Sequence, residues 1–217
     1  SIEWTDHTFN PWIGCTRVSS ACDHCYAEAF DKRFGGDHWG PRSDRRRTAP
    51  ANWRKPLKWN RRAEAEGKRV RVFCASLADV FDNHRSIQNE WRADLWKLIK
   101  LTPHLDWLLL TKRPQNIQKY LPEDWGDCYP NVWLGTTVEN QEEADRRVPE
   151  LLKVTAAIHF LSCEPLLSPV NLWSLRLPKS EHRTFQAFDG LDSKGVSQFD
   201  CGVDWVICGG ESAPDDV

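Results

Sequence analysis

Several hallmarks of membrane and secreted proteins are missing from this 217-residue sequence. Methionine is absent, and no stretch approaches the roughly 18 apolar residues that a membrane-spanning helix needs. The opening residues, SIEWTDHTFNPWIGC, lack the basic start and apolar run of a secretory signal. The sequence also has no internal repeat and no low-complexity tract. These absences predict a cytoplasmic protein with no membrane segment.

The length and composition are those of a single globular domain. A chain of 217 residues can bury one sizeable core and is short for two. Hydrophobic residues make up 40% of it, and the net charge is only -2. We therefore expect one domain over 1–217. We also expect that a C-terminal part is missing, because few residues follow the last predicted strand.

Short apolar runs alternate with helical patterns along the chain. Near-continuous apolar runs such as WLLLT suit strands that are buried on both faces, as in a parallel sheet. The alternation predicts an α/β fold of parallel strands, either a partial barrel or an open sheet. Two segments interrupt it: a basic insertion at about 35–67 and a loop insertion at about 171–202. The predicted strands are Pro11–Gly14, Val70–Ser76, Asp106–Thr111, Val132–Thr137, Ile158–Cys163 and Trp205–Cys208, and the predicted helices are Cys25–Phe34, Ser86–Leu101, Asn116–Leu121 and Gln141–Val154.

Three of the eight cysteines share one loop between a predicted strand and a predicted helix. Cys15, Cys22 and Cys25 have the spacing C-x6-C-x2-C, and thiolates on one loop can converge on a metal. A site with only three protein ligands keeps a position open for something else, as a four-iron cluster on three cysteines would. The alternatives are a structural zinc site completed by His24, His38 or a distant cysteine, and three unconnected cysteines. Of the rest, Cys74, Cys163 and Cys208 are predicted to be core residues, and Cys128 and Cys201 to be incidental.

Six segments of the chain resemble those of a known family. In order they are IEWTDHTFNPWIGCTRVSSACDHCYAE, FCASLADVF, LLLTKRP, NVWLGTTVENQ, FLSCEPLL and DWVICGGES. Together they are similar to the phage-associated three-cysteine-motif family, a branch of the radical S-adenosylmethionine superfamily that is distantly like spore photoproduct lyase. The similarity extends from Ile2 to Ser212.

This resemblance implies a fold, two cofactors and a partner. The fold is a partial (β/α)6 barrel of the radical S-adenosylmethionine (radical SAM) type. The cofactors are a [4Fe-4S] cluster on the three cysteines and S-adenosylmethionine, and the partner is a reductant of the flavodoxin or ferredoxin type. The commonest spacing in that superfamily is C-x3-C-x2-C, so the loop of this chain must bulge. An aromatic residue near the third cysteine tends to lie by the adenine, and His24 or Tyr26 could do so here.

Polar residues follow the predicted strands at the edge where active sites of such folds assemble. Hydroxyls and carboxylates suit the ammonium and ribose of S-adenosylmethionine, a cation suits its carboxylate, and glycines allow close backbone approach. The structural alternative for each is a helix cap or a solvated charge. The candidate contacts are Ser76, Asp79, Lys112, Thr137, Glu139, Asn140, Glu164, Gly209 and Gly210; Arg113 is a second candidate for the carboxylate.

The segment from Arg42 to Arg71 is rich in arginine, lysine and tryptophan. Cations attract phosphates and aromatic rings stack on bases, so this composition fits binding of single-stranded or damaged nucleic acid. The alternative is a solvated surface whose Trp39, Trp53 and Trp59 pack inward.

The leading hypothesis is a radical enzyme whose substrate is unknown and could be a nucleic-acid base or lesion. One alternative is a zinc-stabilised nucleic-acid-binding module without catalysis. Another is a cluster that serves only structure or redox sensing.

Overall fold

The fold is built on a parallel sheet that curls into a half-barrel, as given by a computed structural model that describes residues 2–176, 184–190, 199 and 201–209. Its six strands run in the order β1-β4-β5-β6-β7-β10, and every neighbouring pair is parallel. The predicted α/β class is therefore confirmed. The sheet strands are β1 (His7–Thr8), β4 (Val70–Cys74), β5 (Leu105–Thr111), β6 (Val132–Thr137), β7 (Ile158–Cys163) and β10 (Trp205–Cys208).

Helices cover the convex face of the sheet. On α4, Leu95 and Ile99 recur one turn apart and are fully buried, as the amphipathic pattern predicts. On α6, Asn140 caps the first turn by accepting a hydrogen bond from the Glu143 backbone N–H at 2.9 Å. The helices are α1 (Tyr26–Arg33), α2 (Pro50–Trp53), α3 (Lys55–Ala65), α4 (Asn89–Lys100), α5 (Ile117–Tyr120) and α6 (Gln141–Leu152).

Both faces of the sheet are apolar, which explains the continuous hydrophobic runs of its strands. Alternate residues of β5 face opposite sides: Trp107 and Leu109 join the main core under the helices, and Leu108 joins a second cluster. That second cluster fills the concave side, where it forms an aromatic floor. Its members are Trp4, Leu108, Leu110, Trp133, Phe160, Trp205 and Ile207.

The first predicted strand, Pro11–Gly14, is wrong as a member of the parallel sheet. His7–Thr8 pairs with β4 instead. Trp12–Ile13 (β2) pairs antiparallel with Arg46–Arg47 (β3), so this apolar run packs in a small separate ribbon. Gly14, just after β2, forms an isolated parallel bridge with Ala78.

The two predicted insertions contain secondary structure. The basic segment 35–67 carries β3, α2 and α3, so it supplies the helical crossover between β1 and β4. In the segment 171–202, β8 (Leu175–Arg176) pairs antiparallel with β9 (Thr184–Phe185). Residues 177–183, 191–198 and 200 of that segment lie outside the described residues.

The cysteines on the sheet strands differ in burial. Cys74 and Cys163 are buried, as predicted, but Cys208 is exposed. Within the described ranges β10, which ends at Cys208, pairs only with β7. Across those same ranges, no helix has both the length and the apolarity needed to cross a membrane.

Candidate active site at the mouth of the half-barrel

The carboxyl ends of the parallel strands carry polar groups that surround one opening, which we call the mouth. Asn10 follows β1 and binds the segment after β4: its Oδ1 accepts from the Leu77 N–H at 2.7 Å, and its Nδ2 donates to Ser76 Oγ at 3.1 Å. Glu164 follows β7 and lies against β10, since a Cβ on Gly209 would come within 2.4 Å of Glu164 Oε1. The mouth thus brings together residues from widely separated parts of the chain, as parallel strands require.

The cysteine loop is tied to this mouth at its first residue. The Gly14 N–H donates to Leu77 O at 3.0 Å, and the Gly40 N–H donates to Cys15 O at 2.9 Å. Gly14 has a φ of 114°, and a Cβ there would meet His38 O at 2.4 Å, so only glycine fits. The position before Cys15 is therefore fixed by backbone contacts on both sides.

The other two loop cysteines flank the start of α1. Cys22 ends a short 3-10 turn, Ser20–Cys22, and Cys25 is the residue just before α1, where it makes no side-chain cap. Both are partly exposed, as is Cys15. The three cysteines thus belong to one loop beside the mouth.

These thiols are not gathered around a single point. Among residues 2–176 and the later described ones, no group of three or more His, Cys, Asp or Glu side chains could hold a metal ion as placed. His38, a predicted zinc ligand, instead binds Asp31 through Nδ1 at 2.9 Å. His24, the other named histidine, is exposed. The loop therefore contains donors of suitable chemistry without a preformed metal site.

Cys15 lies next to the guanidinium of Arg113. Nη1 of Arg113 donates to Cys15 Sγ at 3.5 Å, and Nη2 donates to Thr16 O at 2.7 Å. Burial raises the pKa of the Cys15 thiol to about 11, while the Arg113 charge opposes that rise. Arg113 is itself only 6% exposed, so its orientation is set by the groups around it.

Two buried aspartates hold Arg113 and its neighbour Arg45. Asp79 Oδ2 accepts from Arg113 Nη1 at 3.0 Å, and Asp82 Oδ2 accepts from Arg45 Nε at 3.0 Å. Arg45 also donates to Thr16 Oγ1 at 2.5 Å. Buried charges are stable only when paired in this way. This Arg45–Asp82–Arg113–Asp79 network therefore fixes the base of the cysteine loop.

Several residues predicted to contact the cofactor instead form hydrogen bonds or ion pairs within the protein. Asp79 accepts from Thr111 Oγ1 at 2.8 Å as well as from Arg113, and Glu139 is fully buried against Arg147, with 2.7 Å between Oε2 and Nη1. Asn140 caps α6, as described above. Thr137 is 1% exposed, and its carbonyl accepts from Arg147. These bonds indicate that the four residues stabilise the segments at the ends of their strands.

Other predicted contacts remain accessible. Lys112 and Glu164 are half-buried, and their side chains form no hydrogen bond or ion pair with the described residues. The Lys112 backbone N–H donates to Asp79 Oδ2 at 3.2 Å. Tyr26 is 55% exposed, and its hydroxyl donates to Ser76 O at 2.8 Å, which places the ring beside the mouth. His24 is exposed and Gly209 borders Glu164, whereas Gly210 lies outside the described residues.

The basic segment is only partly available to a ligand. Arg45 is buried, Arg47 pairs with Asp94, and Arg69 pairs with Asp106. Trp53 and Trp59 pack partly against the core, which fits the inward-packing alternative for these two rings. The cations that remain exposed without an ion pair to a described residue are Arg42, Arg46, Arg54, Lys55, Lys58 and Arg61. Arg71 is half-buried and lies over the Trp205 ring.

The sequence alone does not identify the buried charge network that includes Arg113, Arg45 and Asp82. The sequence feature that indicates a functional residue here is a charge directly after a buried strand, and it favours Lys112, with Arg113 as a second candidate. Which of the two turns inward depends on Cys15 and Asp79, which lie 98 and 34 residues away.

A family comparison covers almost the whole chain. Residues 1–216 match the model of a family described as "Protein of unknown function (DUF5131)". The chain belongs to this family. No curated protein and no solved structure matches it.

Proposed function

We propose that this protein is a radical S-adenosylmethionine enzyme, with the cysteine loop as the ligand set of a [4Fe-4S] cluster. The observation that carries the proposal is the position of the loop, which brings three partly exposed cysteines to the carboxyl edge of a parallel half-barrel. The donor set fits such a cluster, because soft thiolates select iron–sulfur clusters and zinc. The family resemblance of the six sequence segments adds to it.

The cofactors would carry the difficult chemistry. When bound, the cluster and S-adenosylmethionine supply one-electron cleavage of the sulfonium–carbon bond, which gives methionine and a 5′-deoxyadenosyl radical that takes hydrogen from a substrate. The electron would come from a reductant of the flavodoxin or ferredoxin type. A nucleic-acid base or lesion is the substrate class we propose.

The protein would bind, orient and shield the reacting groups. Cys15, Cys22 and Cys25 would hold the iron, and Arg113 would donate to the Cys15 sulfur, as hydrogen bonds to ligating sulfurs do in tuning such sites. Lys112 would receive the methionyl carboxylate, and Glu164 the ammonium or ribose. The aromatic floor of the concave face would exclude water from below.

The experiment is anaerobic reconstitution with iron and sulfide, followed by dithionite and S-adenosylmethionine. We expect a brown protein that forms 5′-deoxyadenosine. The variant Cys15→Ala/Cys22→Ala/Cys25→Ala should lose both the colour and the product. A matched control, Cys128→Ala/Cys208→Ala, changes cysteines outside the loop and should keep both. Product formation by the triple variant would refute the assignment.

A second candidate is a zinc-stabilised nucleic-acid-binding module, favoured by the unpaired cations on the exposed face of α3. Lys55, Lys58 and Arg61 on α3, and Arg54 just before it, are all exposed and form no ion pair with a described residue. This candidate predicts a colourless protein that holds zinc, binds nucleic acid and forms no deoxyadenosine. A brown protein without cofactor cleavage would instead indicate a structural or redox-sensing cluster.

A further inference from the structure

A cleft opens beside the cysteine loop. We call it the arginine cleft. Its volume is about 620 Å³, and it lies between the loop, the chain around Pro41 and the turn after β4. Thr16, Arg42, Asn83, Arg85 and Arg113 contribute to its lining. The cleft therefore adjoins Cys15 through its neighbour Thr16.

The cleft has an excess of positive charge. Arg42 and Arg85 are exposed and form no ion pair within the part of the chain that the structure describes. Arg113 adds a third guanidinium, neutralised by Asp79. Asp82 is the one carboxylate in the lining, but it is 2% exposed and already faces Arg45 at 3.0 Å. Two cations are left without a counter-charge.

The walls of the cleft are held in place. His84 bridges them: its Nδ1 lies 2.7 Å from Ser86 Oγ, and its Nε2 lies 3.2 Å from Pro41 O. Arg45 ties the other side by donating to the carbonyls of His38 and Gly40 at 3.1 and 2.9 Å. A ligand would thus enter a cleft whose backbone is already positioned, which lowers the entropic cost of binding.

We propose that the arginine cleft binds a phosphate ester, namely a nucleotide that is either free or part of a single strand. Guanidinium groups match phosphate oxygens in a bidentate geometry. The volume exceeds that of one phosphate and lies in the range of about 300–1,000 Å³ typical of sites for small organic ligands. Asn83, which is exposed in the lining, offers an amide for a base or sugar.

The binding site itself does not depend on the radical chemistry. The further role of the cleft, to bind a substrate and place it next to the cysteine loop, does rest on the proposed function. A phosphate held in this cleft would lie beside Thr16 and so next to Cys15. The substrate would then be recognised at the cysteine loop rather than on the exposed face of α3.

The test compares two double variants that each remove two positive charges. Arg42→Gln/Arg85→Gln changes the cleft, and the matched control Lys58→Gln/Arg61→Gln changes the exposed face of α3. The probes are a fluorescent oligothymidylate of about 12 nucleotides, a length within the usual site sizes, thymidine monophosphate and inorganic phosphate. Binding is measured by anisotropy and calorimetry on the iron-free protein, with circular dichroism as the check of folding.

The cleft variant should bind the oligonucleotide at least about tenfold more weakly, because two charge-assisted contacts are lost. Its salt slope should fall by about 1.4, since each phosphate contact on a single strand contributes about 0.7. The α3 control should bind like the original chain. Tighter binding of the oligonucleotide than of the monophosphate would identify a strand as the ligand, and equal binding a free nucleotide.

Two results would overturn the inference: no binding of any probe, or a loss of binding in the α3 control with none in the cleft variant. Because these measurements use iron-free protein, they stand apart from the deoxyadenosine assay. A failed deoxyadenosine assay would therefore remove only the role of the cleft in bringing a substrate to the loop, and failed binding would leave the radical-enzyme proposal intact.

Discussion

The buried pair of Glu139 and Arg147 offers the sharpest stability prediction. Both side chains are almost completely buried, at 0% and 1% exposure, and they meet at 2.7 Å. Arg147 also donates to Thr137 O at 2.8 Å, at the end of β6. The substitution Arg147→Met keeps most of the volume but leaves the Glu139 carboxylate buried beside a neutral chain. Removing one partner of a buried pair costs about 3–5 kcal/mol of unfolding free energy.

The double variant Glu139→Leu/Arg147→Met should recover most of this loss, because the Glu139 charge is then gone and Glu143, whose Oε2 also lies 2.9 Å from Arg147 Nε, keeps its contact with Arg146 Nε at 2.9 Å. Urea unfolding measures the effect. With an m-value of about 2–3 kcal/mol/M, Arg147→Met should lower the midpoint by roughly 1–2.5 M. The double variant should return close to the original midpoint.

The same pair of variants tests the role of Glu139. If Glu139 supports the strand end only, the double variant should still bind S-adenosylmethionine, as measured by equilibrium dialysis. If the double variant is as unstable as Arg147→Met, the pairing argument is refuted. If it is stable but has lost cofactor binding, Glu139 is a ligand after all.

Three further substitutions probe the core and the loop. Burial lowers the pKa of His159, whose Nε2 lies 2.7 Å from Val154 O, so the free energy of unfolding should fall as the pH drops below the ordinary pKa of 6.5. His159→Asn should remove part of that pH dependence, at most about 1.4 kcal/mol per pH unit, as measured by urea titrations. In Gly135→Ala the new Cβ would lie 2.4 Å from Phe160 Cζ, and overpacking should cost about 1–3 kcal/mol, seen as a lower melting temperature. Gly14→Ala forces a side chain onto a φ of 114°, and it should reduce the iron bound per chain after reconstitution while circular dichroism stays unchanged.

Each of these has a matched comparison. His24→Asn changes an exposed histidine and should leave the acid slope intact; an equal loss of slope would contradict the assignment to His159. Gly135→Ala combined with Phe160→Leu should regain stability, and no recovery would place the strain elsewhere. Gly40→Ala also has a positive φ, 109°, but open space for a Cβ, so normal iron binding there would separate crowding at Gly14 from backbone strain.

Most of the sheet could be predicted, because strands buried on both faces must be apolar throughout. The run WLLLT of β5 is an example, and its bounds differ from the prediction by a single residue at Leu105. β1 could not be found this way, since His7–Thr8 has only two residues and no apolar run. The prediction that Pro11–Gly14 joins the main sheet was wrong because Trp12 is fully buried in the small antiparallel ribbon with β3 instead.

The site was less predictable than the fold. Spacing alone identifies Cys15, Cys22 and Cys25 as a group, since they are close in sequence. Whether a carboxylate such as Asp79 or Glu139 is free depends on an arginine that sequence separation does not reveal: Arg113 follows Asp79 by 34 residues, and Arg147 follows Glu139 by 8. Accessibility of a polar residue at a strand end is thus a tertiary property.

The contact between Cys15 and Arg113 also has a consequence for biosynthesis. Arg113 follows Cys15 by 98 residues, and at about 5–20 residues per second it leaves the ribosome roughly 5–20 s later. During that interval the cysteine loop lacks the guanidinium of Arg113, and Asp79 and Asp82 emerge before this arginine partner does. Iron that met the nascent chain would find mobile thiols without their supports. If the loop binds a cluster as we propose, the cluster would therefore meet a fixed loop only after β5 has joined its neighbours.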